Sequence, residues 1–377
     1  MIIYLCIGLV TSALSFCAVR ESRKSKKTST LLLLLIIWIF VFFAGARDPS
    51  VGTDVTVYGI KSYEIAKMSS LEGFFFDSIY SSWGPICKLV IWIASNIGNS
   101  FFWYLAIVQL FTVIPLVWST YSFCGRAFPF AIFIYALIFY PISFNAMRQI
   151  MSLPYLLAAF VCYDRNKTGF SVVLTSIAVG IHSSSLVGFL VYPLCAFADN
   201  KKFSISLKLV MLGLVMFVVV SFSDSILKWF TILTGLYTEY VSGVGAVSGG
   251  GLRTVAALMC VMITIAFAAI VFLHNVDISL QKERNISRLA SLCIVGVALW
   301  SMSLLSFWLY RVGLIFCFYS ILFFPVLLDS ISCRREKNFL AILIAFMLVM
   351  FSFDYLVVQG SHEVVPYEFS NPSSRLI

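Results

Sequence analysis

Charged side chains are scarce in this sequence. Only 11% of its residues are Asp, Glu, Lys or Arg, against about 25% in soluble domains. Apolar types make up 61%. No ordinary water-facing surface can be built from this mixture, so the composition argues against a soluble enzyme and for a polytopic membrane protein. Histidine is rarer still, at three residues, and the ten cysteines never form a CxxC pair. The cysteines lie singly, most of them inside apolar runs, which argues against a disulfide framework or a metal centre. No polar stretch is long enough for a second domain, and residues 1–377 read as one polytopic membrane domain. The first apolar segment shows no small-residue cleavage site and reads as a retained span.

What charge there is has a sign and a pattern. The net charge is +9. In a membrane protein this reflects Lys and Arg gathered in cytoplasmic loops rather than a nucleic-acid partner. Spans are expected near 2–19, 30–46, 101–119, 127–144 and 149–163, then near 205–222, 253–273, 289–308, 311–328 and 339–357. Basic breaks separate them: "RESRKSKK" (20–27), "DRNK" (164–167), "DNKK" (199–202), "HNVDISLQKERNISR" (274–288) and "DSISCRREKN" (329–338). Holding these breaks on one side makes 169–196 a pair of short helices broken at "GIHSSS". It also makes "GPICKLVIWIASNI" (84–97) a re-entrant or surface-lying helix in the first large outer loop. The expected architecture is an all-α helix bundle of about 12 crossings. Its outer loops are about 47–100 and 223–252, with an outer tail at 358–377.

That topology sorts the polar residues. In "FFAGARDPSVGTDVTVYG" an apolar run stops and Arg47, Asp48, Asp54 and Tyr58 follow within a dozen residues. Arg148 and Gln149, in "SFNAMRQIM", end a helix hairpin on the same side. His182 with three serines sits at the outer break, Arg253 begins a span, and Arg311 in "WLYRVG" ends another. The tail adds His362, Glu363, Tyr367 and Glu368. A single outer arginine commonly reaches for lipid headgroups. Four of them with a histidine and two aspartates on one face point to an anionic ligand, since the guanidinium fork matches phosphate. Asp48 also reads as a partner for Arg47 or as a cap for the turn at Pro49. The glycines at 249–251 lack a lysine and a strand context, so they read as a hinge. Outer aromatics such as Trp83, Trp229, Tyr237 and Tyr240 are candidates to stack on sugars.

The ordered set "RDPSVGTDVTVY", "MRQIM", "IHSSSLVGFLVYP", "YRVGLIFCFYSILFFP" and "VPYEF" resembles the EpsG-like branch of the Wzy-type O-antigen and exopolysaccharide polymerases. The resemblance covers nearly the whole chain. It implies a GT-C-like membrane glycosyltransferase in the bacterial inner membrane, working at the periplasmic face. The substrates it implies are undecaprenyl-diphosphate-linked glycan repeat units. A chain-length regulator and other polysaccharide-assembly proteins are partners of the kind it allows. Arg47, Gly52, Asp54 and Tyr58 match its first motif, Arg148 and Gln149 the second, His182 the third and Arg311 the fourth. One departure is "SWGPICKL", where Ser82 and Trp83 stand in the place of a common acidic residue.

Such a reaction needs a base for the acceptor hydroxyl and cationic donors for the departing diphosphate. Asp54 is the preferred base and His182 the second, with Glu72, Asp77 and Glu363 behind them. Arg148 and Arg311 are the preferred diphosphate ligands, followed by Arg47 and Arg253. Asp48, Tyr58 and Gln149 support them. A lipid-linked donor needs no nucleotide, and no DxD pair offers a metal site, so no cofactor is expected. Two alternatives stay open. A flippase for lipid-linked oligosaccharides would share the outer arginines, although no internal repeat of the usual kind is present. A membrane O-acyltransferase would want a histidine deeper in a span than His182.

Overall fold

Long apolar runs in a bilayer fold as helices, because a helix satisfies its backbone polar groups internally where water is absent. The computed structural model describes residues 1–98, 100–200, 280–301 and 307–370, with Ser225, Lys228, Trp229 and Ile232. Among these residues every long element is a helix. The expected spans near 205–222 and 253–273, most of the loop 223–252, and Arg253 lie outside the described residues.

Helix α1 (Ile2–Glu21) and helix α2 (Lys26–Ala46) are joined by the first basic turn. Ser25 caps α2 by accepting the Thr28 N–H at 3.2 Å, which starts the helix four residues before the apolar run. Three short helices follow: α3 (Ile60–Met68), α4 (Leu71–Phe76) and α5 (Pro85–Asn96). With 12 residues, α5 rises about 18 Å, well short of a hydrocarbon core of roughly 30 Å. Then come α6 (Phe101–Cys124), α7 (Phe128–Ile134), a π turn (Tyr135–Phe139) and α8 (Tyr140–Asn145). The apolar run 101–145 is a hairpin. Gly125 ends α6 with φ +54°. Gln109 donates to the Tyr135 hydroxyl at 2.9 Å and accepts from Ser143 at 3.3 Å, so the two arms run antiparallel. Helix α9 (Met147–Asp164) and helix α10 (Thr168–Ile181) complete the described N-terminal part. At His182 the backbone turns extended, a 3₁₀ stretch (Ser183–Leu190) follows, and α11 (Val191–Asp199) closes the segment. The break therefore falls at the expected residue.

The remaining helices are α12 (Leu280–Ser301), α13 (Phe307–Cys317), α14 (Ser320–Ser330) and α15 (Arg334–Phe353), the last continued by a π turn (Asp354–Val358). Five of the described helical runs are long and apolar enough to cross a membrane. Leu9, Phe16, Leu34, Trp38, Phe339 and Phe346 stand exposed on them, as side chains that face lipid do. The protein is a polytopic helical membrane protein.

The chain packs as two compact units, Met1–Leu186 with Ser332–Ile377, and Val187–Ile331. In the second unit the chain is already helical at Leu280, nine residues before the span expected at 289–308. These turns carry charge, and carboxylates on neighbouring helices neutralise it. Arg288 forms a two-pronged pair with Asp199, its Nε lying 2.8 Å from Oδ1. Lys282 meets Asp329 at 3.0 Å.

The first unit has a basic end and an opposite end. Ser29 and Tyr121 hydroxyls meet at 3.2 Å, and Arg165 donates to the Ser122 carbonyl at 2.6 Å. The turns after α1, α6 and α9 thus share one end. Helix α2 runs away from it to Arg47, and α9 begins at the far end with Met147. There the C-terminal tail folds back. The Ser370 N–H donates to the Ala46 carbonyl and the Asp48 N–H to the Glu368 carbonyl. Tyr367 packs against Tyr4, Phe144 and Phe369 and donates its hydroxyl to the Phe43 carbonyl.

Candidate functional site

The loop after α2 is shaped by one turn and one glycine. Asp48 Oδ1 accepts from the N–H and the hydroxyl of Ser50, at 3.0 and 2.8 Å. This is an Asx turn around Pro49. Gly52 has φ +95°, and a Cβ there would stand 2.3 Å from the Phe144 carbonyl oxygen. Only glycine both adopts this conformation and allows this approach. The close approach lets the loop lie on the junction between α8 and α9.

Asp54 closes that junction. Its N–H donates to Asn145 Oδ1 at 3.2 Å, and its Oδ2 accepts from the Met147 N–H at 3.2 Å. Helix α9 has no capping side chain of its own at Ala146. A carboxylate from a loop 93 residues away supplies the missing acceptor. The positive end of the helix favours a negative charge at that place.

Arg148 lies one residue further along α9. Its guanidinium sits 4.4 Å from the Trp83 ring centre and 5.5 Å from that of Tyr58. Among the described residues it makes no hydrogen bond or ion pair. A small cleft lies here; its non-atom space is about 300 Å³ counting the solvent at its mouth, and the room free inside is about that of one water molecule. Asp54, Tyr58, Trp83, Tyr104, Met151 and Arg148 are among its lining residues. The π turn Val55–Gly59 carries Tyr58 to the pocket one turn after Asp54. Gly84 keeps Trp83 in place: a Cβ there would fall 2.2 Å from the Gly180 carbonyl oxygen, so α5 begins in direct contact with the end of α10.

The other candidates are placed differently. Arg47 is 2% exposed and is not among the pocket's lining residues. It donates to the Ala44 carbonyl at 3.1 Å, reaches Met147 Sδ at 3.7 Å and lies 4.0 Å from the Phe144 ring centre. Its Nε is buried without a partner. Burial lowers its pKa to about 10, with surrounding tyrosines opposing the shift, so it stays a cation at neutral pH. Gln149 is buried on α9. His182 is also buried, with Nδ1 2.7 Å from the Ser184 hydroxyl. Its neighbour Ile181 packs in the same apolar cluster as Trp83, Met147 and Met151, yet His182 does not line the pocket. Arg311 is half-buried on α13 in the second unit. Asp77 caps a 3₁₀ turn by accepting the Ile79 N–H at 2.8 Å.

Of the residues singled out by sequence, the structure therefore gathers Asp54, Tyr58 and Arg148, with Trp83. It adds Asn145, Tyr104 and Met151. Asn145 had a visible signal: an amide at the end of an apolar run, directly before a helix start. Met151 closes the motif "MRQIM", while Tyr104 had no signal, since it reads as an ordinary helix-face residue.

The family model for the EpsG family matches residues 30–369. No curated protein and no solved structure matches the chain. The chain belongs to the EpsG family, and it is a multi-pass membrane protein of polysaccharide biosynthesis.

Proposed function

With EpsG-family membership as the premise, we propose that the protein is a polysaccharide polymerase acting on polyprenyl-diphosphate-linked glycans. One acceptor sugar hydroxyl attacks the anomeric carbon of the donor glycan. The bond from that carbon to the diphosphate oxygen breaks, and polyprenyl diphosphate leaves with the electron pair. Asp54 takes the hydroxyl proton, and Arg148 stabilises the charge that builds on the diphosphate.

The observation that carries this reading is the pairing of Asp54 and Arg148 in one pocket. Arg148 is held by ring faces, so its N–H donors are not spent on a protein carboxylate. Asp54 is fixed by the first turn of the same helix that carries Arg148, which sets base and cation in a constant relation. Trp83 and Tyr58 add aromatic surface of the kind that packs on sugar rings. The pocket lies at the end of the first unit opposite the basic turns. This supports an active face away from the cytoplasm, periplasmic in a bacterial inner membrane.

The test is the glycan profile of a deletion strain complemented with variants, with a tagged protein as loading control. Asp54→Asn and Arg148→Ala are expected to leave single repeat units on the carrier with no ladder. Complete loss of capped product would point instead to a flippase. Normal ladders from both variants would overturn the assignment. His182→Ala, Arg311→Ala and Arg253→Ala in the same assay test the remaining outer candidates.

A further inference from the structure

The reaction above makes no use of the C-terminal tail, yet the tail is bonded to the loop that carries Asp54. The Gly52 N–H donates to the Glu363 carbonyl at 3.0 Å. The Thr53 hydroxyl donates to Glu363 Oε2 at 3.0 Å. Glu363, which makes both contacts, and His362 before it have φ of +53° and +71°, a region that non-glycine residues seldom occupy. Next to them His362 stands between Asn145, with Nδ1 2.7 Å from Nδ2, and Tyr355, with Nε2 3.0 Å from the hydroxyl.

The protonation of this chain of groups follows from its one invariant donor. The Asp54 N–H can only donate, so the Asn145 atom facing it at 3.2 Å is the carbonyl oxygen. The other end of the amide is then NH₂, which can only donate, and it faces His362 Nδ1. Nδ1 therefore accepts. The imidazole is neutral, its proton is on Nε2, and the Tyr355 hydroxyl oxygen accepts it.

We propose that His362 is a positioning residue for Asp54, acting through Asn145, and that it holds this position only while its imidazole is neutral. The proposal rests on Asp54 being the base. A second proton would place an N–H on Nδ1 against the Asn145 NH₂, donor against donor. Turning the amide over would move the conflict to the Asp54 N–H. In either case one link between Tyr355, His362, Asn145 and Asp54 breaks, and the Asp54 carboxylate loses part of what fixes it at the start of α9. Among the described residues, these titratable groups face His362 from the elements packed against it. The π turn brings Tyr355 and Asp354, the latter bonded to Gln359. The loop brings Asp54, and the tail itself brings Glu363. Helix α8 brings no charge, and α1 brings Tyr4, whose hydroxyl donates to the Val364 carbonyl at 2.8 Å.

The experiment uses membranes containing the full-length protein. They are supplied with lipid-linked oligosaccharide extracted from a strain deleted for this gene, and polymer formation is followed from pH 5 to 8.5. Wild-type rate is expected to fall on the acid side of this range, where a second proton goes onto His362. His362→Asn keeps an acceptor oxygen where Nδ1 stood, tolerates the left-handed backbone and takes no proton, so that acid limb is expected to vanish. His362→Ala is expected to lower kcat roughly 10- to 100-fold at all pH values with little change in KM. An unchanged acid limb in His362→Asn, or a full rate in His362→Ala, overturns the proposal. A separate measurement keeps it distinct from the base assignment. Under mild oxidation at pH 8, Thr53→Cys with Glu363→Cys is expected to cross-link, and adding His362→Ala is expected to slow the cross-link. Cross-linking that ignores His362→Ala overturns the positioning role even where Asp54→Asn is inactive. Wild-type polymerisation by Asp54→Asn overturns the base assignment whatever the cross-link does.

Discussion

Arg47 and Arg148 are far apart in sequence and adjacent in the fold. Arg47 reaches the sulfur of Met147, the residue before Arg148. Both guanidinium groups lie over aromatic rings, and both stand at the end of the first unit away from the basic turns. Arg47 is closed in, with a backbone carbonyl, a sulfur and a ring around it. Arg148 lines an open pocket with Asp54 and spends no donor on a protein carboxylate. One arginine braces the junction of α2 with α8 and α9. The other is presented to whatever enters the pocket. The distinction lies in burial, and neighbouring residue types do not reveal it.

The comparison can be broken by substitution. The largest effect is expected from Asp54→Asn, which keeps size but accepts no full proton. Polymerisation should collapse while the protein accumulates normally, as read from the glycan ladder against a tagged loading control. Arg148→Lys is next. An ammonium lacks the guanidinium fork, and loss of one preorganised contact costs about 2–4 kcal/mol, or about 30- to 1000-fold in rate. Initial rates in membranes measure this, and melting of the detergent-solubilised protein should not move. Arg47→Ala should reverse that pattern. It removes a buried cation–ring contact and a charged hydrogen bond, so stability should fall by about 2 kcal/mol. Melting temperature and protein level report it, and the rate per folded molecule should change less than in Arg148→Lys. The smallest effect is expected from Asp48→Asn, because an amide still caps the turn. Near-normal ladders check it.

These differences also mark what the sequence could reveal. Helix positions follow from apolar length and capping residues, so α2, α6 and α9 lie close to their expected places. The break at His182 was readable from a polar cluster between two apolar runs. That residues 280–288 are helical was hidden, because Lys282 and Arg288 read as loop residues until Asp329 and Asp199 are seen to neutralise them. The pocket was half readable. Asp54, Tyr58 and Arg148 stand out as polar groups where apolar runs end. The burial of Arg47 depends on the packing of Phe144 and Met147 from another hairpin. The link from His362 to Asn145 spans 217 residues, and no local pattern carries information across that distance.

The central claim is that Arg148 holds diphosphate and Asp54 does chemistry beside it. Binding separates the two roles most directly. Polyprenyl diphosphate without a glycan can be titrated against the purified full-length protein in lipid nanodiscs. Wild type and Asp54→Asn are expected to bind alike, and Arg148→Ala is expected to bind at least about 10-fold more weakly, the loss of one charge-assisted contact. Unchanged binding by Arg148→Ala would contradict the account.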